Sequence, residues 1–231
     1  MRNRFNITAK TVLVGITILT MVSFTGCSNK SNTSQNQTGT NNQPTIGAGT
    51  TSNGTGDLDG DGLPDTIEKT YGTNPYLADT DGDGTNDKDD KAPVFTDNLI
   101  SETSTTPVTI TIKDARVEDN ATADHLEITL TNNGTAVLNN FDIYYTITDK
   151  KDNTKEAYYQ VLNGLSLNPG DTTTIHFDNQ VTEAGHYYGN MSGLYSTSAN
   201  GLTFAIQLHA KGFQPIDFNV DKAEGTAEVA D

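Results

Sequence analysis

Ten carboxylates stand at fixed intervals between residues 57 and 90, and no other feature restricts the fold of this chain so tightly. The first set lies in Asp57-Leu58-Asp59-Gly60-Asp61-Gly62-Leu63-Pro64-Asp65-Thr66-Ile67-Glu68, with acids at loop positions 1, 3, 5, 9 and 12 and Gly at 6. The second begins 22 residues later, in Asp79-Thr80-Asp81-Gly82-Asp83-Gly84-Thr85-Asn86-Asp87-Lys88-Asp89-Asp90, and repeats the same positions. Residues 57–90 carry eleven acids against Lys69 and Lys88, a net −9 out of −16 for the 231-residue chain. Like charges packed this densely repel one another unless a cation lies between them.

The spacing is that of an EF-hand calcium loop. Calcium takes six to eight oxygens at about 2.3–2.6 Å, and a loop wrapped round it points alternate side chains inward. Gly62 and Gly84 permit the sharp turn. Asp57, Asp59, Asp61 and Asp65 are the expected side-chain ligands of the first loop. The Leu63 carbonyl supplies a further oxygen, and Glu68 reaches back with both of its own. Asp79, Asp81, Asp83, the Thr85 position, Asp87 and Asp90 repeat the set. Asp90 is one methylene shorter than Glu, which predicts weaker binding in the second loop. A true EF-hand needs a helix on each side of the loop. The Gly-, Ser- and Thr-rich residues before Asp57 form none. After the first loop, Pro64 to Tyr71 suits a short helix, with Pro at its start and Gly72 at its stop. Lys91-Ala92-Pro93 allows no helix after the second.

The segment DLDGDGLPDTIEKTYGTNPYLADTDGDGTNDKDD, residues 57–90, resembles the bacterial thrombospondin type 3 repeats. That resemblance implies a calcium-dependent, small-cored spacer between surface domains. It also implies ligand roles for Asp57, Asp59, Asp61, Asp65, Glu68, Asp79, Asp81, Asp83, Asp87 and Asp90. Dockerins share the duplicated loop and would imply a cohesin partner, but they need a second helix. The module has little to bury: Leu58, Leu63, Ile67, Tyr71, Tyr76 and Leu77. Folding is therefore expected to be coupled to metal binding.

From residue 107 onward the pattern changes to period two, which predicts strands with one buried face. Val108, Ile110 and Ile112 alternate with polar residues. So do Leu126, Ile128 and Leu130; Phe141, Ile143, Tyr145 and Ile147; Thr173, Ile175 and Phe177; Leu202, Phe204, Ile206 and Leu208; and Ile216, Phe218 and Val220. Asn132-Asn133-Gly134, Asn163-Gly164, Asn168-Pro169-Gly170-Asp171 and Ala199-Asn200-Gly201 read as turns. With a strand around 155–162, this makes about seven strands, which suits an antiparallel immunoglobulin-like β-sandwich. The runs LTNNGTAVLNNFDIYYTITD and NPGDTTTIHF resemble bacterial Ig-like accessory domains. The chain is thus expected to be mostly β.

The beginning of the chain reads as an export segment. Arg2, Arg4 and Lys10 precede the uncharged stretch from Thr11 to Phe24, and small residues lead to Cys27. That stretch is shorter than the roughly 20 residues that span a bilayer. Phe24-Thr25-Gly26-Cys27 resembles the bacterial lipobox, which implies a lipid on Cys27, an extracytoplasmic location and attachment to the membrane. Cys27 is the chain's one cysteine, so no internal disulfide is possible. Residues 27–56 are Ser-, Asn-, Thr- and Gly-rich and bury too little to order themselves. As a flexible tether they extend on the order of 30 Å. The expected organisation is a lipoprotein signal peptide at 1–26, a disordered linker at 27–56 and a calcium module at 57–92. A connector at 93–106, a sandwich at 107–223 and a tail at 224–231 follow.

The −16 charge disfavours nucleic acid as a partner. No nucleophile motif such as GxSxG occurs. His125, His176, His186 and His209 are scattered, and His176 and His209 fall on outward strand positions, so both are expected at the surface. No catalytic activity is expected. Tyr144-Tyr145, Tyr158-Tyr159 and Tyr187-Tyr188 must each turn one ring outward if they lie in strands. Outward rings could stack on sugars or anchor a surface protein, so a glycan or protein partner is the expectation for this domain, alongside the plainer one that Tyr suits strands.

Overall fold

The period-two segments form strands because each places its branched and aromatic residues on one face and its Thr, Glu, Asp and Lys on the other. The computed structural model describes residues 56–118 and 125–224. The expected signal peptide, Cys27, nearly all of the linker and nearly all of the tail lie outside the described residues. The described residues all belong to one compact unit, Gly49–Asp231.

Strands β1 (Ile110–Glu118), β2 (His125–Asn132), β3 (Leu138–Asp149) and β4 (Lys155–Leu167) are followed by β5 (Thr172–Phe177), β6 (His186–Tyr187), β7 (Leu202–Ala210) and β8 (Ile216–Lys222). They make two four-stranded sheets, β1-β2-β5-β6 and β4-β3-β7-β8. Every pairing between these strands is antiparallel except the short β5–β6 pair. The chain thus alternates between the sheets in pairs of strands, and the result is the mostly β sandwich that the alternation predicts. Ile128, Leu130 and Ile175 of one sheet meet Phe141, Ile143 and Leu208 of the other, all essentially buried. The Tyr145 ring crosses between the layers, edge-on to Phe177 with centroids 6.1 Å apart.

Asn163-Gly164 is not a turn. Strand β4 runs through it, and the register with β3 shifts between Asn139 and Phe141. Gly164 has φ 82° and Asn140, opposite, φ 51°, so the extra residues form a bulge. A turn signal marks a backbone able to take positive φ, and bulge and hairpin use that ability equally. The two-residue β6 is too short for any periodicity to announce it.

The module before the sandwich contains helix α1 (Asp65–Tyr71), with Pro64 at its N-cap and Gly72 at its C-cap. Gly72 takes φ 79° and its N–H donates to the Glu68 carbonyl, as a left-handed cap requires. Among the described residues no helix directly follows the second loop; residues 86–90 close as a single turn. A second short helix, α2 (Leu194–Thr197), precedes β7.

The module's apolar residues do not form its core. Leu58 is 62% exposed, Tyr71 62% and Tyr76 55%. Glu68, Thr73, Asn74, Thr80, Asp81 and Asp87 are buried in their place. The interior is polar, and what fills it must satisfy charge rather than shed water from hydrocarbon.

The connector lies flat on the sandwich. Thr96 N–H donates to the Ala157 carbonyl at 3.2 Å and Ala157 N–H to the Val94 carbonyl at 3.0 Å. Farther along, Asn98 Nδ2 donates to Gln207 Oε1 at 2.8 Å and Gln214 N–H to the Thr106 carbonyl at 2.7 Å. This covering corrects the expectation for His209. It sits on the outward face of β7 but is 8% exposed, between Asp142 (2.6 Å) and Glu102 of the connector (3.4 Å). His176 is half-buried and stacks on His186, with centroids 4.6 Å apart.

Candidate metal centre

The two Asp-rich loops have the same backbone. In the first, Gly60 and Gly62 donate their N–H groups to the Asp57 carboxylate at 2.8 and 3.2 Å, and Asp61 N–H donates to Asp59 at 3.2 Å. In the second, Gly82 and Gly84 donate to Asp79 at 3.0 and 2.8 Å, and Asp83 donates to Asp81 at 3.0 Å. The N–H groups of Leu63 and Thr85 go to Asp61 and Asp83, which fixes the backbone at both positions. Each loop is closed at its neck by the equivalent backbone bond, Asp65 N–H to the Gly56 carbonyl in the first and Asp87 N–H to the Ala78 carbonyl in the second. The glycines at positions 4 and 6 have φ between 81° and 97°, which side-chain-bearing residues rarely adopt.

This turn brings the expected ligands together. One oxygen each of Asp57, Asp59 and Asp61 lies within 4.8 Å of the others, and the same holds for Asp79, Asp81 and Asp83. Oxygens bound to one calcium-sized ion are at most about 5 Å apart. Glu68 and Asp90 stand outside these two close groups but within their electrostatic reach. The Glu68 carboxyl feels the charges of Asp59 and Asp61, and Asp90 acts on Asp81.

The position-9 acids behave differently from the rest. Asp65 accepts the Leu58 N–H at 2.9 Å. Asp87 accepts both the N–H and the hydroxyl of Thr80, at 2.8 and 2.6 Å. Both of its oxygens therefore brace the loop, and any contribution of Asp87 to an ion is made over these bonds.

Whether the residues fit a cation is decided by their unpaired oxygens. Among the described residues six buried side-chain atoms lack a hydrogen-bond partner, and five belong to this module: Asp59 Oδ2, both oxygens of Glu68, Asp81 Oδ2 and Asp90 Oδ2. Glu68 and Asp81 are 0% exposed. A buried carboxylate without donors must take up a proton or meet a cation. Burial, reinforced by the neighbouring acids, pushes the carboxyls of Glu68 and Asp81 up to about 7. Burial likewise raises Asp87 to about 6 against the lowering effect of Thr80, and raises Asp59. Hard oxygen donors on a preformed ring, with anionic charge that protein donors do not neutralise, can hold a metal ion at each loop.

The loops touch each other and the sandwich. Lys88 N–H of the second loop donates to Asp61 Oδ2 of the first at 3.1 Å. Thr80 Oγ1 accepts the Asn74 N–H at 2.8 Å, and Asn74 Nδ2 donates to Asn179 and to the Gly189 carbonyl at 3.1 and 3.2 Å. Asn190 Nδ2 donates to the Gly72 carbonyl at 2.6 Å and to the Tyr158 hydroxyl at 2.9 Å. Sequence reasoning found the carboxylates and missed Asn74, Thr80 and Asn190. Asn74-Pro75 reads as a turn, and nothing local says that residue 74 meets residue 189.

The outward tyrosines are partly covered from the same side. Tyr144 and Tyr159 are cross-strand neighbours on β3 and β4, both half-buried. Tyr144 donates its hydroxyl to the Thr96 carbonyl at 3.4 Å, and Tyr159 to Asp142 at 3.0 Å. Tyr158 and Tyr187 point into the core. Tyr188 is half-buried and lines an open groove with Leu77, Tyr159 and Val181.

No protein-family model matches this chain, and no curated protein matches it. Solved structures match about half of this chain at low similarity. A Bordetella pertussis protein described as ApaA is 12% identical with a TM-score of 0.33, over 52% of this chain and 97% of that one. The alkylpurine DNA glycosylase AlkC of Pseudomonas fluorescens is 15% identical with a TM-score of 0.28, over 49% of this chain and 30% of that one. A β-glucuronidase of Bacteroides uniformis is 12% identical with a TM-score of 0.28, over 52% of this chain and 13% of that one. Similarity at this level carries no argument about activity or partners.

Proposed function

We propose that this chain is a calcium-binding, non-catalytic lipoprotein of the bacterial cell surface. Calcium orders its acidic two-loop module, and Cys27 carries the lipid that attaches it to the membrane. The observation that carries the metal reading is the burial of Glu68 and Asp81 with carboxylate oxygens that no protein group satisfies. Calcium is favoured over magnesium because the loops offer many carboxylate oxygens. Magnesium prefers a tighter octahedron and keeps several waters. The resemblance of residues 57–90 to thrombospondin type 3 repeats supports the same ion. Basic residues, a short apolar stretch and Phe24-Thr25-Gly26-Cys27 support the export and the anchor. The sandwich is then the part presented to a surface protein or glycan.

Isothermal titration of the full chain with calcium tests the ion. Heat of uptake at two ions per chain is expected, one for each carboxylate group. Glu68→Gln is expected to weaken one site and leave the other. A flat titration at millimolar calcium refutes the metal reading. The anchor is tested in bacterial cells by labelled palmitate, which the wild-type chain should retain and Cys27→Ser should lose. Equal labelling of the two would refute lipid attachment at Cys27.

A further inference from the structure

Strand β4 is the outer strand of its sheet, and an outer strand offers unpaired N–H and C=O groups to any other strand that reaches it. Here the second metal loop itself lies on that edge. Tyr159 N–H donates to the backbone carbonyl of Asp81 at 2.8 Å, so a residue whose side chain points at the ion site caps β4 with its main chain. The connector caps Ala157, two residues earlier on the same edge, which is 0% exposed. The approach is so close that a Cβ built on Gly82 would sit 2.0 Å from the Tyr159 carbonyl oxygen. Gly60, the same position of the first loop with the same φ of 81°, has nothing within 4 Å. The two loops share one backbone, and only the second is seated on the sandwich.

We infer that the second loop is a metal-controlled latch on the edge of β4: calcium at Asp79, Asp81, Asp83 and Asp90 holds the loop against Tyr159, and loss of calcium uncovers that edge. This rests on the calcium reading above. The physical cause is the position of Asp81. Its side chain lies in the anionic ring, its Oδ2 is buried without a donor, and its carbonyl is the acceptor for Tyr159. Charge repulsion that opens the ring moves the same residue that makes the edge contact. A brace from Asp87 through Thr80 to Asn74, and from Asn74 to Gly189, ties the far side of the loop to the sandwich. The latch leaves the first loop free to bind its ion without seating on β4.

Amide hydrogen exchange on the full chain, with calcium and with EDTA, reads the latch at Tyr159. Ile143, buried in the middle of its sheet, is the control. Calcium at one hundred times its dissociation constant should slow exchange at Tyr159 by up to about a hundredfold, and paired variants separate this local effect from the general stabilisation that Ile143 reports. Asp79→Ala should abolish this dependence, and Asp57→Ala, at the same position of the first loop, should retain it. Gly82→Ala and Gly60→Ala impose the same backbone strain, but only Gly82→Ala should expose Tyr159. Equal effects within either pair of variants overturn the latch. Calcium uptake with unchanged exchange at Tyr159 overturns the latch and leaves the metal reading standing. Absence of uptake overturns both.

Discussion

Stripping calcium from the full chain with EDTA is expected to lower its thermal midpoint by about 10–20 °C. The reasoning is mass action. A ligand that binds only the folded form at one hundred times its dissociation constant adds about 2.7 kcal/mol per site. Two carboxylate groups are present, so the loss is on the order of 5 kcal/mol. In a unit of this size each kcal/mol shifts the midpoint by about 2–4 °C. The module has little else to hold it, since Leu58, Tyr71 and Tyr76 are exposed and its interior is made of acids and hydroxyls. The loss should reach the sandwich as well, because Gly72, Asn74 and Asp81 are bonded to it. Scanning calorimetry with calcium, magnesium and EDTA measures this. Magnesium should restore less of the midpoint than calcium does. A midpoint indifferent to EDTA would contradict the whole account of the module.

Acidification is expected to act in opposite directions with and without the ion. In EDTA the carboxyls of Glu68 and Asp81 sit near 7 and that of Asp87 near 6, all raised by burial above their unfolded values. A group raised in the folded state binds its proton more tightly there. The stability it contributes is full below its unfolded value and is lost as pH rises through the folded one. The metal-free protein should therefore gain stability as pH falls from about 7.5 to about 5, within the window set by the unfolded values near 4 and the folded values near 7. With calcium the same carboxylates must be ionised to bind, so protons compete with the ion and stability falls over the same interval. Asp149 contributes differently below that window. Hydrogen bonds from Ser198 and Asn200 hold its carboxyl well below the ordinary range. Its contribution is present above its unfolded value of about 4 and is lost only in stronger acid. Midpoints measured across this pH range, in EDTA and in calcium, give the two slopes. Slopes of the same sign would show that the buried acids are not the groups that respond.

The strands and the loops were legible in the sequence for the same reason: each depends on a short repeating interval. Phe141, Ile143, Tyr145 and Ile147 bury every second side chain, as a strand with one wet face must. Asp57, Asp59 and Asp61, like Asp79, Asp81 and Asp83, converge because their spacing and the following glycines dictate the turn. Short α1 and its Gly72 cap were equally readable.

What the tertiary structure alone decided concerns contacts between distant parts of the chain. Leu58 and Tyr71 are hydrophobic, yet the module centres on Glu68 and Asp81, because an ion-sized ring of charge occupies the place where a hydrocarbon core would form. His209 obeys outward strand parity and is buried nonetheless, because a connector about a hundred residues earlier folds over it and offers Glu102. Asn163-Gly164 could have closed a hairpin and bulges a strand instead, since permissive dihedrals fix what a backbone can do and its neighbours fix what it does. The seating of Gly82 on Tyr159 follows the same logic. A glycine in a metal loop is required by its local φ, and that this one also admits a β-strand edge is known only once the two surfaces meet.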